Sequence, residues 1–440
     1  MKNLDRPAVR MVDSTDERLG EVLPPELAIE LAGINQLCRE GLMAVAVEAG
    51  MAAAMAMMRE ETDALCGPWN ARDPERSHVR GGTAPTSLVM GGQKLPARRP
   101  RVRSTDTGEE VPLETFGVFS QGDLLNRVVI ERMLAGVATR SFERVGDPIG
   151  HQAREKATGT SKSSVSRRFV TGTKKALDEL MSRDLGELEP VVVMIDGTDF
   201  AGECVVAAMA VTADGTKVPV GLRLGDTENT TVVADLLADL VDRGLDVTAG
   251  VLVVIDGGKA LAAGVRRVFG EHAIIQRCTV HKRRNVCDYL AKNERKTMDS
   301  RLAGIFADPD PASGLRRAQL LAAQLDKTNP DAAASLREGL TDMFTVRTLG
   351  IDGTLAATLT TTNMIESMFS VVATTTSNVK RWRSNGDMRR RWAAAGMLEA
   401  ETRFRRVKGY RQLGQLKSAL AHRTSTVTPA CHTDHTELAA

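Results

Sequence analysis

Between residues 191 and 281 the order of apolar and polar positions predicts a sheet with helices laid against it. "VVVMIDGTDF" (191–200) begins with five apolar residues in a row, the pattern of a strand buried on both faces. "ECVVAAMAVTADG" (203–215) and "TKVPVGLRLGD" (216–226) predict two further strands, joined through Asp214-Gly215 as a tight hairpin. "TTVVADLLADLVDRGL" (230–245) has the period of an amphipathic helix. "GVLVVIDG" (250–257) predicts a fourth strand, "KALAAGVRRVFG" (259–270) a helix, and "AIIQRCTVH" (273–281) a fifth strand. Three antiparallel strands followed by helix, strand, helix, strand make a mixed α/β sheet. From 282 to about 355 the chain is helical and highly charged, without strand patterns. "TTTNMIESMFSVV" (360–372) then starts another helix, capped by Thr362 or Asn363.

Upstream the pattern is different. Residues 1–24 are charged and end at Pro24-Pro25, which predicts a loose leader, and 26–64 have helical periodicity that stops at "CGPW" (66–69). In "TSLVMGGQKLPARRPRVRS" (86–104), Gly91-Gly92 between two alternating runs predicts a hairpin whose second strand carries Arg98, Arg99, Arg101 and Arg103. From 120 to 185 the pattern is helical again. A Gly/Thr/Ser turn at 158–162 precedes "SKSSVSRRF", with Ser163 or Ser164 as N-cap. That is the outline of a helix-turn-helix whose second helix, 163–170, presents Ser164, Ser166, Arg167 and Arg168. The tail, 413–440, is read as disordered, with Cys431, His432 and His435 in a Thr-rich stretch.

Composition narrows the class. At 440 residues the chain has room for several domains, and 42% hydrophobic with 26% charged residues is ordinary globular usage. Aromatics are only 3%, so the cores must be built from Ala, Val, Leu and Met. The six cysteines are widely spaced and form no disulfide framework. No apolar run approaches the roughly 20 residues of a membrane span, and a reduced, cytoplasmic protein is expected. The net charge of +2 hides unevenness: 72–103 holds eight Lys/Arg against two acids, and 380–408 ten against three. Basic stretches on an otherwise neutral chain suggest a polyanionic partner, although solvated faces produce the same pattern.

The chemistry is concentrated at the strand ends. Asp196 closes the first strand of the sheet and Asp256 the fourth. A lone buried carboxylate costs on the order of several kcal/mol unless it is paired or holds a cation. Either acid alone is explained as a helix cap. Both together, at the tips of strands that would be neighbours, point to hard oxygen ligands for Mg²⁺. A phosphatase-type aspartyl nucleophile needs an Asp where Met194 stands, and "IDGGKAL" lacks the spacing of a nucleotide loop. Glu366 is flanked by apolar residues, which favours an inward-facing acid. Cys278 and His281 are half of a zinc site, but no second pair has suitable spacing. Trp382 and Trp392 alternate with arginines in "KRWRSNGDMRRRW", where core packing competes with stacking on unpaired bases.

This ordered set, from Asp196 through Asp256, "QRCTVHKRRN" (276–285) and a helical stretch to "TTNMIESMFS" (361–370), resembles the DDE transposases of the Mutator type found in bacterial insertion sequences. The likeness covers roughly 60 to 410. It departs from the family after the Glu, and the first 60 residues carry no matching motif. The resemblance implies an RNase H-like mixed-sheet catalytic domain with an all-helical insertion, preceded by a mostly helical DNA-binding region. The corresponding segments are 1–65 (helical), 66–119 (basic hairpin), 120–187 (helix-turn-helix-like), 188–281 and 359–412 (catalytic), 282–358 (helical insertion) and the 413–440 tail. It further implies Asp196, Asp256 and Glu366 as a triad binding two Mg²⁺, with Mn²⁺ as a possible substitute. Cys278, His281, Arg284 and Asn285 would support the site or position DNA, and Lys380, Arg381, Trp382 and Arg383 would join the DNA-binding residues. The implied activity is binding of terminal inverted repeats followed by strand cleavage and transfer, by a copy-out route, in a nucleoid-associated homodimer or larger assembly on element and target DNA. A captured descendant that binds DNA without cutting is the alternative, and the intact acid set speaks against it.

Overall fold

The structure, a computed structural model, describes residues 41–427 apart from 71–72, 74, 91, 121, 146–150, 226–228 and 384–386. The expected leader and Cys431, His432 and His435 lie outside the described residues. The chain divides into two units, Met1–Gly172 and Thr173–Ala440.

In the first unit, helix α1 (Leu42–Cys66) lies on a hairpin of β1 (His78–Met90) and β2 (Gln93–Ser104), with a short β3 (Glu110–Val111) beside β2. Ala54, Met58, Thr62 and Cys66 recur every four residues, one per turn, and all are buried. The first two and Cys66 meet Leu88 and Val102 of the hairpin and Leu113, and Thr62 returns its hydroxyl proton to the Met58 carbonyl. The hairpin register closes on Met90 opposite Gln93, with Gly92 at φ 67°, a conformation glycine adopts without strain. Four helices follow: α2 (Glu114–Ser120), α3 (Gly122–Leu134), α4 (His151–Lys156) and α5 (Lys162–Ser182). The cap of α5 is Ser161, whose Oγ accepts from the Ser164 N–H at 3.4 Å, so the helix starts before the expected Ser163 or Ser164.

The second unit is built on a five-stranded sheet of order β6-β5-β4-β7-β8: β4 (Pro190–Phe200), β5 (Glu203–Thr212), β6 (Lys217–Gly225), β7 (Val251–Ile255) and β8 (Ala273–Arg277). β4 runs antiparallel to β5 and parallel to β7, and β7 parallel to β8. Because β4 is central, both its faces are covered, which is why "VVVMI" is apolar without alternation. Val193 and Ile195 join the core under α6 (Thr230–Asp242) and α7 (Lys259–Phe269). These helices meet so closely that a Cβ on Gly264 would lie 2.5 Å from Val233 Cγ1.

Between β8 and the last helices the described chain holds only helices: α8 (Thr279–Asp288), α9 (Lys292–Phe306), α10 (Pro311–Leu325), α11 (Pro330–Arg337), α12 (Thr345–Thr348) and α13 (Gly353–Leu359). They enclose a separate core that includes Val286, Ile305, Phe306, Leu321, Leu336 and Phe344. Then come α14 (Asn363–Thr376), α15 (Met388–Glu401) and α16 (Leu413–Val427).

The structure corrects two expectations here. The fifth strand ends at Arg277, four residues early, and Cys278 is the N-cap of α8. Once the Cys278 N–H donates to the Ile255 carbonyl, at 2.7 Å, the chain leaves the ladder. The tail is not disordered over 413–427, where α16 packs near β4 and β7. Leu413, Leu416, Leu420 and Thr424 form its buried stripe, and the Ser/Thr-rich end of the helix masks that apolar period in the sequence.

Candidate active site

The register of β4 and β7 sets the site. Ile195 lies opposite Ile255, and an aspartate follows each, so Asp196 and Asp256 lie side by side where the β4–β7 pairing ends. β4 itself continues to Phe200 against β5, so Asp196 does not close its strand as the sequence suggests. Asp196 is 5% exposed and accepts a hydrogen bond from the Gly197 N–H at 3.0 Å. Burial, then the charge of Asp256, push its carboxyl up to about 8; Glu366 adds to this and His281 opposes it. Asp256 is half-buried, and its Oδ1 accepts from the Gly258 N–H at 2.6 Å, which fixes the turn into α7.

Glu366 arrives on α14. The N–H and hydroxyl of Thr279 both donate to the Thr360 carbonyl, at 2.9 and 3.1 Å, and so pin the start of α8 to the segment that leads into α14. Thr362, fully buried at the N-cap of α14, donates its hydroxyl proton to Glu366 Oε1 at 2.6 Å. The same hydroxyl oxygen lies 3.4 Å from Cys278 Sγ and 3.4 Å from His281 Nδ1. His281 Nδ1 is 3.8 Å from Glu366 Oε1. The hydrogen bond with Cys278 raises the His281 imidazole to about 9; burial works against it, and the charges of Cys278, Asp196 and Asp256 add to it. Burial pushes the Cys278 thiol up, but hydrogen bonds with His281 and Thr362 more than reverse this and leave it below the usual thiol range.

Two overlapping ligand sets share Glu366. The donor atoms of Cys278, His281 and Glu366 lie within 4.8 Å of one another, and a thiol, an imidazole and a carboxylate are ligands that zinc accepts. The Thr362 hydroxyl sits among those three atoms and joins them by hydrogen bonds, which gives the cluster a structural use of its own. The second candidate set is Asp196, Asp256 and Glu366, hard oxygens whose charges act on one another, although among the described residues only the first set brings its donor atoms within 4.8 Å. Burial first, and repulsion from Asp256 and Glu366 after it, raise the Asp196 carboxyl, and a divalent cation relieves both. The residues present therefore fit a divalent cation.

Arg277, 5% exposed, supports this end of the sheet from behind. Its guanidinium donates to the Gly257 carbonyl at 3.2 Å, next to Asp256, and pairs with Glu338 at 2.6 Å and Asp342 at 3.2 Å. Neither Arg277 nor Thr362 was singled out for the site by sequence reasoning. An arginine at a strand end and a threonine before a helix are commonplace, and only their distant partners distinguish them.

The remaining sequence candidates are dispersed. Arg284 and Asn285 are exposed on α8, with the Asn285 Nδ2 close to Gly257. Arg99 and Arg101 pair with Glu110 at 2.5 and 2.6 Å and hold β3 in place, while Arg98 and Arg103 are exposed. Ser166 and Arg167 are exposed on α5; Ser164 is half-buried, and Arg168 donates to Asn126 Oδ1 at 2.7 Å. Lys380, Arg381 and Arg383 are exposed. Trp382 stands edge-on to Phe200 and to Trp392, with ring centroids 5.0 and 6.4 Å apart, and Trp392 is 4% exposed. These two indoles serve packing.

Residues 30–386 match the family described as Transposase, Mutator family. Among similar proteins is the transposase for insertion sequence element IS256 in transposon Tn4001 of Staphylococcus aureus, 25% identical over 328 residues, covering 71% of this chain and 78% of that one. The transposase for IS6120 of Mycolicibacterium smegmatis is 28% identical over 253 residues, 56% of this chain and 75% of its own. The transposase for IS1201 of Lactobacillus helveticus is 22% identical over 274 residues, 60% and 72% of the two chains.

Proposed function

The chain belongs to the Mutator family of transposases, and we propose that it binds the terminal inverted repeats of its own insertion sequence, cleaves the DNA there and joins the freed 3′-hydroxyl to target DNA. What supports this reading is that Asp196 and Asp256 lie side by side at the end of the β4–β7 pairing, and that Glu366, from a helix far along the chain, stands near enough for its charge to act on Asp196. The strand order β6-β5-β4-β7-β8, three antiparallel strands then two parallel ones, supports an RNase H-like catalytic domain interrupted by the helices α8–α13. The hard-oxygen set favours Mg²⁺, with Mn²⁺ as a substitute.

When bound, divalent cations held by the three carboxylates supply Lewis acidity to the attacking oxygen and to the leaving one. The chain's own part is to hold those carboxylates in place. Gly197 and Gly258 N–H groups orient Asp196 and Asp256, and the Thr362 hydroxyl orients Glu366. Asp196 is almost dry, whereas the Glu366 side chain is 41% exposed, so DNA approaches from the Glu366 side. His281, whose imidazole is raised to about 9 first by the Cys278 hydrogen bond, favours positive charge beside the acids where phosphate must come near. No covalent protein–DNA intermediate is needed, because positioning and charge suffice for in-line phosphoryl transfer. Assembly as a homodimer or larger on DNA belongs to this proposal. No described helix is long and apolar enough to cross a membrane.

The experiment is to incubate the purified protein with end-labelled DNA carrying the element termini and Mg²⁺ and to map the nicks. Nicks at the element boundary that vanish in chelator are expected. Boundary nicks that persist in chelator, or none with either Mg²⁺ or Mn²⁺, would sink the proposal.

A further inference from the structure

The first unit contains a pocket that none of these roles uses. It has a volume of about 490 Å³, within the range of pockets that hold small organic groups, and opens between α1 and the β1–β2 hairpin. Arg59, Trp69, Arg80, Thr83, Arg98 and Arg101 line it, with Asp63 at its edge. Trp69 follows α1 in "CGPW" and is 75% exposed, a costly placement for the largest apolar side chain. The indole is held rather than loose. The Arg80 guanidinium lies over its ring, 5.2 Å from the centroid, and is fixed in turn by Asp63 at 2.7 Å and by the Gly67 carbonyl. One face of the ring is thereby covered by a cation, and the exposure of the residue belongs to the other.

The charges around it are unevenly used. Arg101 is neutralised by Glu110 and Arg80 by Asp63. Arg98 donates only to the neutral Thr83 hydroxyl, at 3.1 and 3.3 Å, and neither it nor Arg59 has an ion pair among the described residues. A rigid open aromatic face beside two uncompensated guanidinium groups matches the two parts of a nucleotide: a flat base and an anionic phosphate. We propose that this pocket takes one unpaired nucleotide of DNA, its base stacked on Trp69 and its phosphate on Arg98 and Arg59. Paired bases in a duplex hide their faces in the stack, so the pocket selects frayed or single-stranded DNA. An acidic peptide satisfies the arginines but leaves the indole without a partner. The proposal rests on the reading of the chain as one that acts on DNA, and adds to it a subsite for the strand that opens at an element end.

The test is equilibrium binding of the full chain in chelator, compared at matched salt across a series of salt concentrations, to a blunt duplex, the same duplex with a single-stranded flap, and an oligo-dT. Trp69→Ala is expected to weaken flap and oligo-dT binding on the order of tenfold, the usual effect of losing one stacked base, while blunt-duplex binding stays the same. Trp69→Phe should retain most of the affinity, and Arg98→Gln should weaken flap binding and reduce its salt dependence. Because Trp69 is exposed, a thermal melt should show Trp69→Ala as folded as the parent. An equal loss on all three probes, no loss on any, or displacement of oligo-dT by a poly-glutamate of matched charge overturns the proposal. Flap preference lost with end-specific nicking intact removes the pocket alone; end nicking absent with flap preference intact removes the transposase reading alone.

Discussion

Thr362 decides how well the smallest parts of the site are ordered. Its buried hydroxyl donates to Glu366 at 2.6 Å and touches Cys278 and His281 at 3.4 Å. Thr362→Val keeps the shape and deletes that bond, leaving a half-exposed carboxylate free to rotate. Strand cleavage should fall on the order of tenfold in kcat, about 1.4 kcal/mol of barrier, with KM for DNA unchanged, and Thr362→Ser should restore it. A loss carried by KM instead would place Thr362 in DNA binding. The acids also make a pH prediction. The carboxyl of Asp196 is raised from 3.8 to about 8 and the imidazole of His281 from 6.5 to about 9, so the folded metal-free protein holds more protons than the unfolded chain. Their stabilisation is present at low pH and is lost as pH rises. Above about pH 6.5 the lowered Cys278 thiol offsets the His281 contribution, so in chelator Tm should fall chiefly between about pH 6 and 8 through Asp196, Asp196→Asn should flatten that fall, and a saturating divalent cation should suppress it. A Tm that rises over this interval contradicts the cluster. At this scale the sequence points to three acids by their apolar flanks, but Asp196 lies within β4 rather than at its end and Glu366 is 41% exposed rather than inward-facing. The β5 hairpin extends β4, and the Thr362 hydroxyl holds Glu366 at the surface. Charge runs mislead: in 380–408, Arg389 pairs with Glu203, Arg403 with Glu399, and Arg391 is buried against Thr173.

Among the elements, β8 and the helices after it carry the most consequential bonding. β8 is an edge strand, and its free side is closed by side chains: the Thr345 hydroxyl donates to the Ile275 carbonyl at 2.7 Å, and Gln276, fully buried, receives the Val346 N–H at 2.9 Å. Lys282, 1% exposed, donates to the Ser335 and Glu338 carbonyls at 2.7 Å and to the Glu338 carboxylate at 3.0 Å. Glu338 thus serves Lys282 and Arg277 together, and Arg277 touches the turn that carries Asp256. Removing one partner of a buried pair costs about 3 kcal/mol, and Glu338 is 30% exposed, so Glu338→Ala should lower the unfolding free energy by about 2 kcal/mol, read as a lower urea midpoint at unchanged slope. A loss under about 1 kcal/mol would mean that Lys282 and Arg277 are satisfied by backbone carbonyls alone. Most of these elements are legible from periodicity, because the central strands are apolar throughout and the helices alternate. The strand-to-helix change at Cys278 is not, since "AIIQRCTVH" suits either state until the Ile255 carbonyl and Thr360 fix the turn. Nor is α16, whose leucines fall three and four apart and stop at Leu420, before a polar end of His, Arg, Ser and Thr.

Across the whole second unit, the sheet assembles what the chain keeps apart. Asp196 stands within β4 and Asp256 directly after the neighbouring β7, and each alone has a local use, Asp196 accepting from the next N–H in the strand and Asp256 fixing a turn. Glu366 lies 110 residues beyond Asp256, on the far side of the helices α8–α13, and only the fold brings it to the same place. The resemblance to the Mutator type could be read from the order of the motifs, but the meeting of three acids around Asp196 required the strand order and the tie between Thr279 and Thr360. Glu366→Gln is therefore the most direct probe, because the substitution keeps the shape, removes a charge that repels Asp196, and should leave folding and end binding nearly intact. On a labelled element end with Mg²⁺, the proposed mechanism predicts that Glu366→Gln cleaves at least about 100-fold more slowly, on the order of 3 kcal/mol of lost barrier lowering. Asp196→Asn and Asp256→Asn should match it, and double substitutions should add little, as for groups that act as one unit. Cleavage by Glu366→Gln at close to the parent rate, with end binding unchanged, would contradict the assignment of these carboxylates to the chemistry.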